Sequence, residues 1–230
     1  MLLQMPERGV AHSEFEIERA DALAPERGGR LGGVTLGEPL WQARYDLARS
    51  MTTALSDEWR AFAARLRGSQ RRFIGQDRTR RYPRNFAGGF AKTTRVGGSP
   101  FDGSVASWSQ AVDANLDAVL TLNDLPAGMR LELGDYIGFR WDAAGSEAGT
   151  HDRLAMVRVV SPSTANAAGT LEARIEPPVP TLVVPGGAEA HLDNPACLMK
   201  VVTGGIKLGA VDPLHAITGG SFDAVQDLRP

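Results

Sequence analysis

Leu40-Trp41-Gln42-Ala43-Arg44-Tyr45-Asp46-Leu47, followed after a short gap by Ser56-Asp57-Glu58-Trp59-Arg60-Ala61-Phe62-Ala63-Ala64-Arg65-Leu66-Arg67-Gly68, is the stretch that decides the fold. In the first segment Trp41, Ala43, Tyr45 and Leu47 alternate with Leu40, Gln42, Arg44 and Asp46. A period of two with aromatics on one side predicts a half-buried strand. In the second, Trp59, Phe62, Ala63 and Leu66 fall at i, i+3, i+4 and i+7, one apolar stripe of a helix expected over about residues 57–67. Ser56 is the expected N-cap, Asp57 and Glu58 suit the positive end of the helix dipole, and Arg65 and Arg67 suit the negative end. Gly68 offers a left-handed stop. A helix this short is marginal alone in water, whereas burying its three large apolar side chains contributes roughly 5–8 kcal/mol. It is therefore expected to lie on a sheet, with the preceding strand as its nearest partner.

Working outward, the 230 residues are 43% apolar and 23% charged, the composition of an ordinary globular chain. A formal charge of −2 gives no general attraction to nucleic acid or to acidic membranes, so only local clusters can supply one. The single cysteine, Cys197, excludes an intrachain disulfide and any multi-cysteine metal site, and its expected role is that of a small buried hydrophobe. The first residues, Met-Leu-Leu-Gln-Met-Pro-Glu-Arg, lack the pattern of a signal peptide, and no apolar run approaches a membrane span. Synthesis in a cytoplasm is the expectation.

Chemistry is hard to find. His12, His151, His191 and His215 are scattered, without His-x-His or His-Glu-x-x-His spacing, so zinc is not expected. There is no Gly-x-Ser-x-Gly elbow for a serine hydrolase. Nor do the glycines around Gly28-Gly29 and Gly32-Gly33 have dinucleotide-site spacing. Gly134-Asp135 reads as a turn between two strands, not as a general base. Neither catalysis nor a cofactor nor a metal is expected.

One cluster stands out. Nine arginines lie between Arg60 and Arg84, and after the helix they are accompanied by one acid, Asp77. Arg71, Arg72, Arg78, Arg80, Arg81 and Arg84 are the candidate site residues. Guanidinium groups pair with phosphate through two parallel bonds, which suits a nucleic-acid-contacting arm. They equally suit a subunit-facing loop that meets acids elsewhere on the same chain or on a neighbour. The acidic balance of the whole chain favours the subunit interface.

The remaining sequence is read as mainly β. Glu14–Glu18 alternates as a short strand; residues 24–37 read as a Gly/Pro loop; Ala91–Val96 reads as a weak strand within a Gly-rich loop. Strands are expected at Leu116–Leu122, Met129–Leu133, Tyr136–Trp141, Leu154–Val160, Leu171–Ile175, Ala188–Leu192, Ala196–Val202, Ile206–Leu208 and Phe222–Leu228. Short strands at this spacing predict a β-sandwich or barrel with one packed amphipathic helix and an inserted barrel-like lobe. The expected division is an N-terminal β-layer over residues 1–117, a lobe over 118–203, and a tail over 204–230 whose strand returns to the first layer.

Several pieces come in an order that resembles siphophage distal tail proteins and their relatives in gene transfer particles. They are Leu40-Trp41 opening a strand, the Trp59–Leu66 helix closing on Leu66-Arg67-Gly68, and Phe73 with Asp77. Downstream come Leu125-Pro126-Ala127-Gly128, Leu131-Glu132-Leu133-Gly134-Asp135-Tyr136-Ile137, Gly169-Thr170-Leu171, Glu176-Pro177-Pro178 and Asn194-Pro195-Ala196. The resemblance covers residues 40–203. It implies a hexameric ring at the distal end of a tail tube, touching other copies of itself, the tube protein and the hub protein, with DNA passing through and no membrane contact. Two alternatives stand beside it. One is a carbohydrate-binding tail-tip module built on Tyr136, Phe139 and Trp141; the other is a nucleic-acid-binding protein using the arginines of residues 71–84.

Overall fold

A computed structural model describes residues 2–25, 31–49, 51–210 and 219–229. The fold is mainly β, with seventeen strands in four sheets and one α-helix among the described residues. In chain order the elements are β1 (Leu3–Gln4), β2 (Val10–Glu18), β3 (Asp21–Pro25), β4 (Leu31–Thr35), β5 (Leu40–Leu47), α1 (Thr53–Leu66) and β6 (Phe73–Gly75). They continue with β7 (Ser104–Val105), β8 (Ser107–Val112), β9 (Ala118–Asn123), β10 (Arg130–Leu131), β11 (Tyr136–Trp141) and β12 (Arg153–Val159). The last are β13 (Ser163–Thr164), β14 (Leu171–Glu176), β15 (Glu189–His191), β16 (Cys197–Lys207) and β17 (Ser221–Gln226).

The first sheet has the order β1-β6-β16-β17-β5-β2 and curls into a half-barrel. The alternation of β5 is as expected: Trp41, Ala43, Tyr45 and Leu47 are buried. Above them lies α1, whose buried residues are Ser56, Trp59, Phe62 and Leu66. The rings of Tyr45 and Phe222 stack at 4.6 Å, and those of Trp59, Phe62 and Phe73 surround Phe222 at 5.5–6.3 Å. Edge-to-face and stacked pairs of this kind add to the area that they bury.

The helix begins a turn earlier than its sequence pattern suggested. Thr52 is the N-cap, its side chain accepting from Leu55 N–H at 3.3 Å, while Ser56 is buried within the helix. The apolar stripe explains the shift, because Leu55 packs on the same core as Trp59 and extends the stripe towards the N-terminus, with Met51 buried just before the cap. At the other end Arg67 (φ 51°) takes the left-handed position ahead of Gly68 (φ +66°). Gly9 (φ +96°) lies so close beneath the helix that a Cβ there would meet Trp59 Nε1 at 2.6 Å. The Trp59 indole N–H donates to the neighbouring Arg8 carbonyl at 3.0 Å.

The second sheet, fully antiparallel, has the order β7-β15-β11-β12-β14-β9-β8. Its two outermost members, β7 and β8, are separated in the chain by Ala106 alone. Since consecutive Cα atoms are about 3.8 Å apart, the sheet has to wrap round until its edges meet, and this makes the lobe barrel-like. The Trp108 indole N–H of β8 donates across that seam to the Ala188 carbonyl at 2.8 Å. Leu120, Leu122, Ile137, Phe139, Val157, Leu171 and Ile175 fill the interior.

The lobe is inserted between β6 and β16, and its strands span residues 104–191. Strands β7 and β8 thus pair in the lobe although they lie within residues 1–117, and β16 pairs in the first sheet although it begins within 118–203. The sequence of β8, Ser-Trp-Ser-Gln-Ala-Val, has one large apolar residue and so carries no legible period. Strand β17 returns to the first sheet between β16 and β5, as expected.

Other differences are local. Residues 24–37, read as a loop, hold the end of β3 and all of β4, which form a two-stranded sheet of their own. Gly28 and Gly29 lie outside the described residues, as does His215. Ala91–Val96 forms no strand, only a bridge from Thr94 to Pro100. Leu116 is 85% exposed at φ 67°, in the turn that precedes β9.

Candidate functional site

The arginine-rich segment leaves the first sheet at β6 and crosses to the lobe, and the lobe's Leu-Gly-Asp turn is what holds it. Asp135 is 3% exposed; its carboxylate accepts Arg84 N–H at 2.9 Å and Glu132 N–H at 2.8 Å. Burial raises its pKa above the ordinary aspartate value, opposed by those two bonds and by the nearby Arg84 and Arg80 charges. Gly134, at φ +82°, presents its carbonyl to Arg80 Nη1 at 2.5 Å. A Cβ at that position would lie 2.1 Å from the guanidinium, so only glycine admits the contact.

Asp77 anchors the other side. It is 7% exposed and accepts from Ser13 Oγ at 3.0 Å, Thr79 N–H at 2.9 Å and Thr79 Oγ1 at 2.7 Å, with the Tyr136 hydroxyl at 3.4 Å. The Tyr45 hydroxyl accepts Gln76 N–H at 3.1 Å, pinning the residue before it, and burial pushes the Tyr45 pKa well above its usual value. Both acids nearest the arginines are thus engaged with backbone N–H or hydroxyl donors.

The six candidate arginines divide into two groups. Arg71, Arg81 and Arg84 are exposed; Arg72, Arg78 and Arg80 are half-buried. Arg78 donates from Nη2 to the Pro6 carbonyl at 2.6 Å and from Nη1 to the Glu7 carbonyl. Arg81 Nε donates to Asn194 Oδ1 at 2.9 Å, and Arg84 Nη2 reaches the Leu133 carbonyl at 3.4 Å. Arg71 N–H closes the end of the helix on the Leu66 carbonyl at 3.1 Å. Arg72 Nη1 and Arg78 Nε are buried without a hydrogen-bond partner. Burial lowers the pKa of both residues, assisted by the neighbouring charges of Arg153 at Arg72 and Arg81 at Arg78.

Among the described residues none of these six guanidinium groups forms an ion pair, although arginines elsewhere on the chain do so repeatedly. The polar partners of Arg78, Arg80, Arg81 and Arg84 are neutral carbonyl and amide oxygens. Such bonds orient a guanidinium without cancelling its charge, and each group has five N–H donors to distribute. Arg78, Arg80, Arg81 and Arg84 line one open cleft of about 540 Å³ together with Thr79, Tyr82 and Asp135. Arg71 and Arg72 are not among its lining residues.

The aromatic trio of the sugar-binding alternative is placed otherwise. Tyr136 (4% exposed) faces the core of the first sheet, whereas Phe139 (0%) and Trp141 (9%) face the interior of the lobe. No ring among them offers an open face for a sugar to stack on. Among the described residues there is no group of three or more His, Cys, Asp or Glu side chains arranged to hold a metal, and no helix is long and apolar enough to cross a membrane.

The arginines and their density were visible in the sequence; their anchors were not. Asp135 reads as a turn residue, and nothing local signals that its carboxylate holds the backbone of a segment about fifty positions earlier. No protein-family model matches the chain, and no curated protein matches it.

Proposed function

We propose that the chain is a structural, non-catalytic subunit of a long-tailed bacteriophage tail, forming a ring, hexameric by the resemblance above, at the distal end of the tail tube. Its partners are further copies of itself, the tube protein and the hub protein; DNA passes through without being specifically bound. The protein is made in the host cytoplasm and resides in the virion tail. No catalytic group, cofactor or membrane takes part. The reading is supported by the order of motifs over residues 40–203 and by a scaffold that agrees with it, a half-barrel sheet carrying one helix with a β-lobe inserted.

The observation that carries the assembly is the set of outward arginines, Arg71, Arg81 and Arg84, with no carboxylate among the described residues paired to them. The chain is net acidic, so a neighbouring copy supplies the missing acids: Glu14 and Glu18 are exposed along the edge strand β2, and Asp57 and Glu58 lie on the outer face of α1. A basic surface that meets a different, acidic surface makes a head-to-tail contact, the kind that closes into rings. The β3–β4 hairpin adds a second reason to associate. Among the described residues it pairs with no other strand; it exposes Leu23 (69%) and Val34 (63%), with Leu36 (69%) just after it, and an isolated hairpin is marginal in water.

The test is the triple variant Arg71→Glu, Arg81→Glu and Arg84→Glu, produced in a phage that encodes the protein and scored for tails by electron microscopy and for this chain by mass spectrometry of purified particles. The variant is expected to fold and to block tail assembly, and the unmodified protein to bind duplex DNA feebly at two salt concentrations. Normal tails from the variant, together with tight, salt-sensitive duplex binding by the unmodified chain, would reject the proposal.

A further inference from the structure

We infer that the cleft between Arg78, Arg80, Arg81 and Arg84 is a binding site for a compact, multiply charged phosphate ligand of the pyrophosphate or polyphosphate class. Four guanidinium groups line a space of about 540 Å³, and the one carboxylate in its wall, Asp135, has an oxygen engaged by each of two backbone N–H groups. The cationic groups are positioned in advance. Arg78 is tied to the Pro6 and Glu7 carbonyls, Arg80 to Gly134, Arg81 to Asn194 and Arg84 to Leu133. Each retains N–H donors beyond those in use, and Arg78 Nε is buried with no partner at all. Burial lowers the pKa of Arg78, and repulsion from the neighbouring Arg81 charge adds to that. An oxyanion would remove that repulsion and occupy the unused donors through charge-assisted bonds.

The geometry also selects the ligand. A carboxylate side chain brings a single negative charge against four positive ones, whereas a short phosphate chain concentrates several in a similar width. A nucleic-acid duplex needs guanidinium groups that reach out along a surface. Arg78 and Arg80 are half-buried and held back by carbonyls, so they are available to a ligand that enters the cleft and not to one that passes over it. All four arginines lie on one chain, so the site is assigned to the unassembled protein; in the ring proposed above a neighbouring copy competes with the ligand for Arg81 and Arg84.

The experiment is calorimetric titration of the full chain with tripolyphosphate at fixed ionic strength, with citrate and a short DNA duplex titrated in parallel. Saturable binding of tripolyphosphate at one site per chain is expected, with citrate and duplex weaker. Arg81→Gln and Arg84→Gln, both exposed positions, should each weaken the binding by about tenfold or more, the scale of one lost hydrogen bond to a charged group. Arg174→Gln should leave binding unchanged, because Arg174 is paired with Asp113 and Asp117 away from the cleft. No saturable binding, equal weakening in all three variants, or citrate bound as tightly as tripolyphosphate would overturn the assignment. Duplex bound more tightly than tripolyphosphate and lost in the same two variants would overturn it in favour of nucleic acid.

Discussion

Leu66→Ala tests whether the helix is a docked part of the first sheet. Leu66 is 0% exposed, ends α1 and belongs to the core that joins the helix to β5 and β17. The substitution removes three carbons, worth roughly 2.4 kcal/mol of transfer free energy at about 0.8 for each methylene. Its neighbours are large side chains in a close-packed core, and they relax only in part, so a cavity cost adds to this and the total becomes about 3–5 kcal/mol. In a domain of this size each kcal/mol lowers the melting temperature by about 2–4 °C, which predicts a fall on the order of 10 °C. Arg60→Ala is the matched control on the exposed face of the same helix. It loses a bond from Nη2 to the Gly209 carbonyl at 3.0 Å and is expected to cost below about 1 kcal/mol. Equilibrium urea unfolding of the three proteins reads the difference as a shift in midpoint at constant slope. Equal, small shifts for the two variants would mean that the helix does not pack on the sheet and would refute the reasoning.

Two further outcomes follow from burial and charge. Trp141→Ala should cost about 3–5 kcal/mol in the same unfolding experiment, because Trp141 lies inside the lobe; glycan binding by the unmodified protein that vanishes in a still-folded Trp141→Ala variant would contradict that placement. On acidification the protein should lose stability as the pH falls through and below the ordinary carboxylate range, about 3.9–4.3. Arg140 holds the Glu189 carboxyl low and Ser104 holds that of Asp102 low. The unfolded chain therefore takes up protons first, and the stabilisation present above the unfolded pKa disappears as the pH drops through the folded one. Asp135, raised by burial, contributes with the opposite sign and is outnumbered. Melting temperatures at pH 7 and pH 3.5 check this, and Glu189→Gln should flatten the slope between them.

Periodicity made the first sheet and its helix legible because it is a local property. The alternation in Leu40–Leu47 and the stripe through Trp59, Phe62 and Leu66 each need only a few consecutive residues, and both are as the sequence predicts. Strand β8 was not legible, because an edge strand built from Ser, Trp, Ser, Gln, Ala and Val has almost no apolar period. The β3–β4 hairpin was hidden among glycines and a proline, which read as a loop whenever cross-strand pairing is unseen. At the candidate site the sequence determined the number of arginines and their scarcity of nearby acids. Only the tertiary structure decided that the Gly134 carbonyl and the Asp135 carboxylate, in a turn of the inserted lobe, grip Arg80 and Arg84 from 54 and 51 positions away. Partners at that separation are chosen by chain topology, because a hydrogen bond requires contact in space and no local spacing encodes which turn will arrive there.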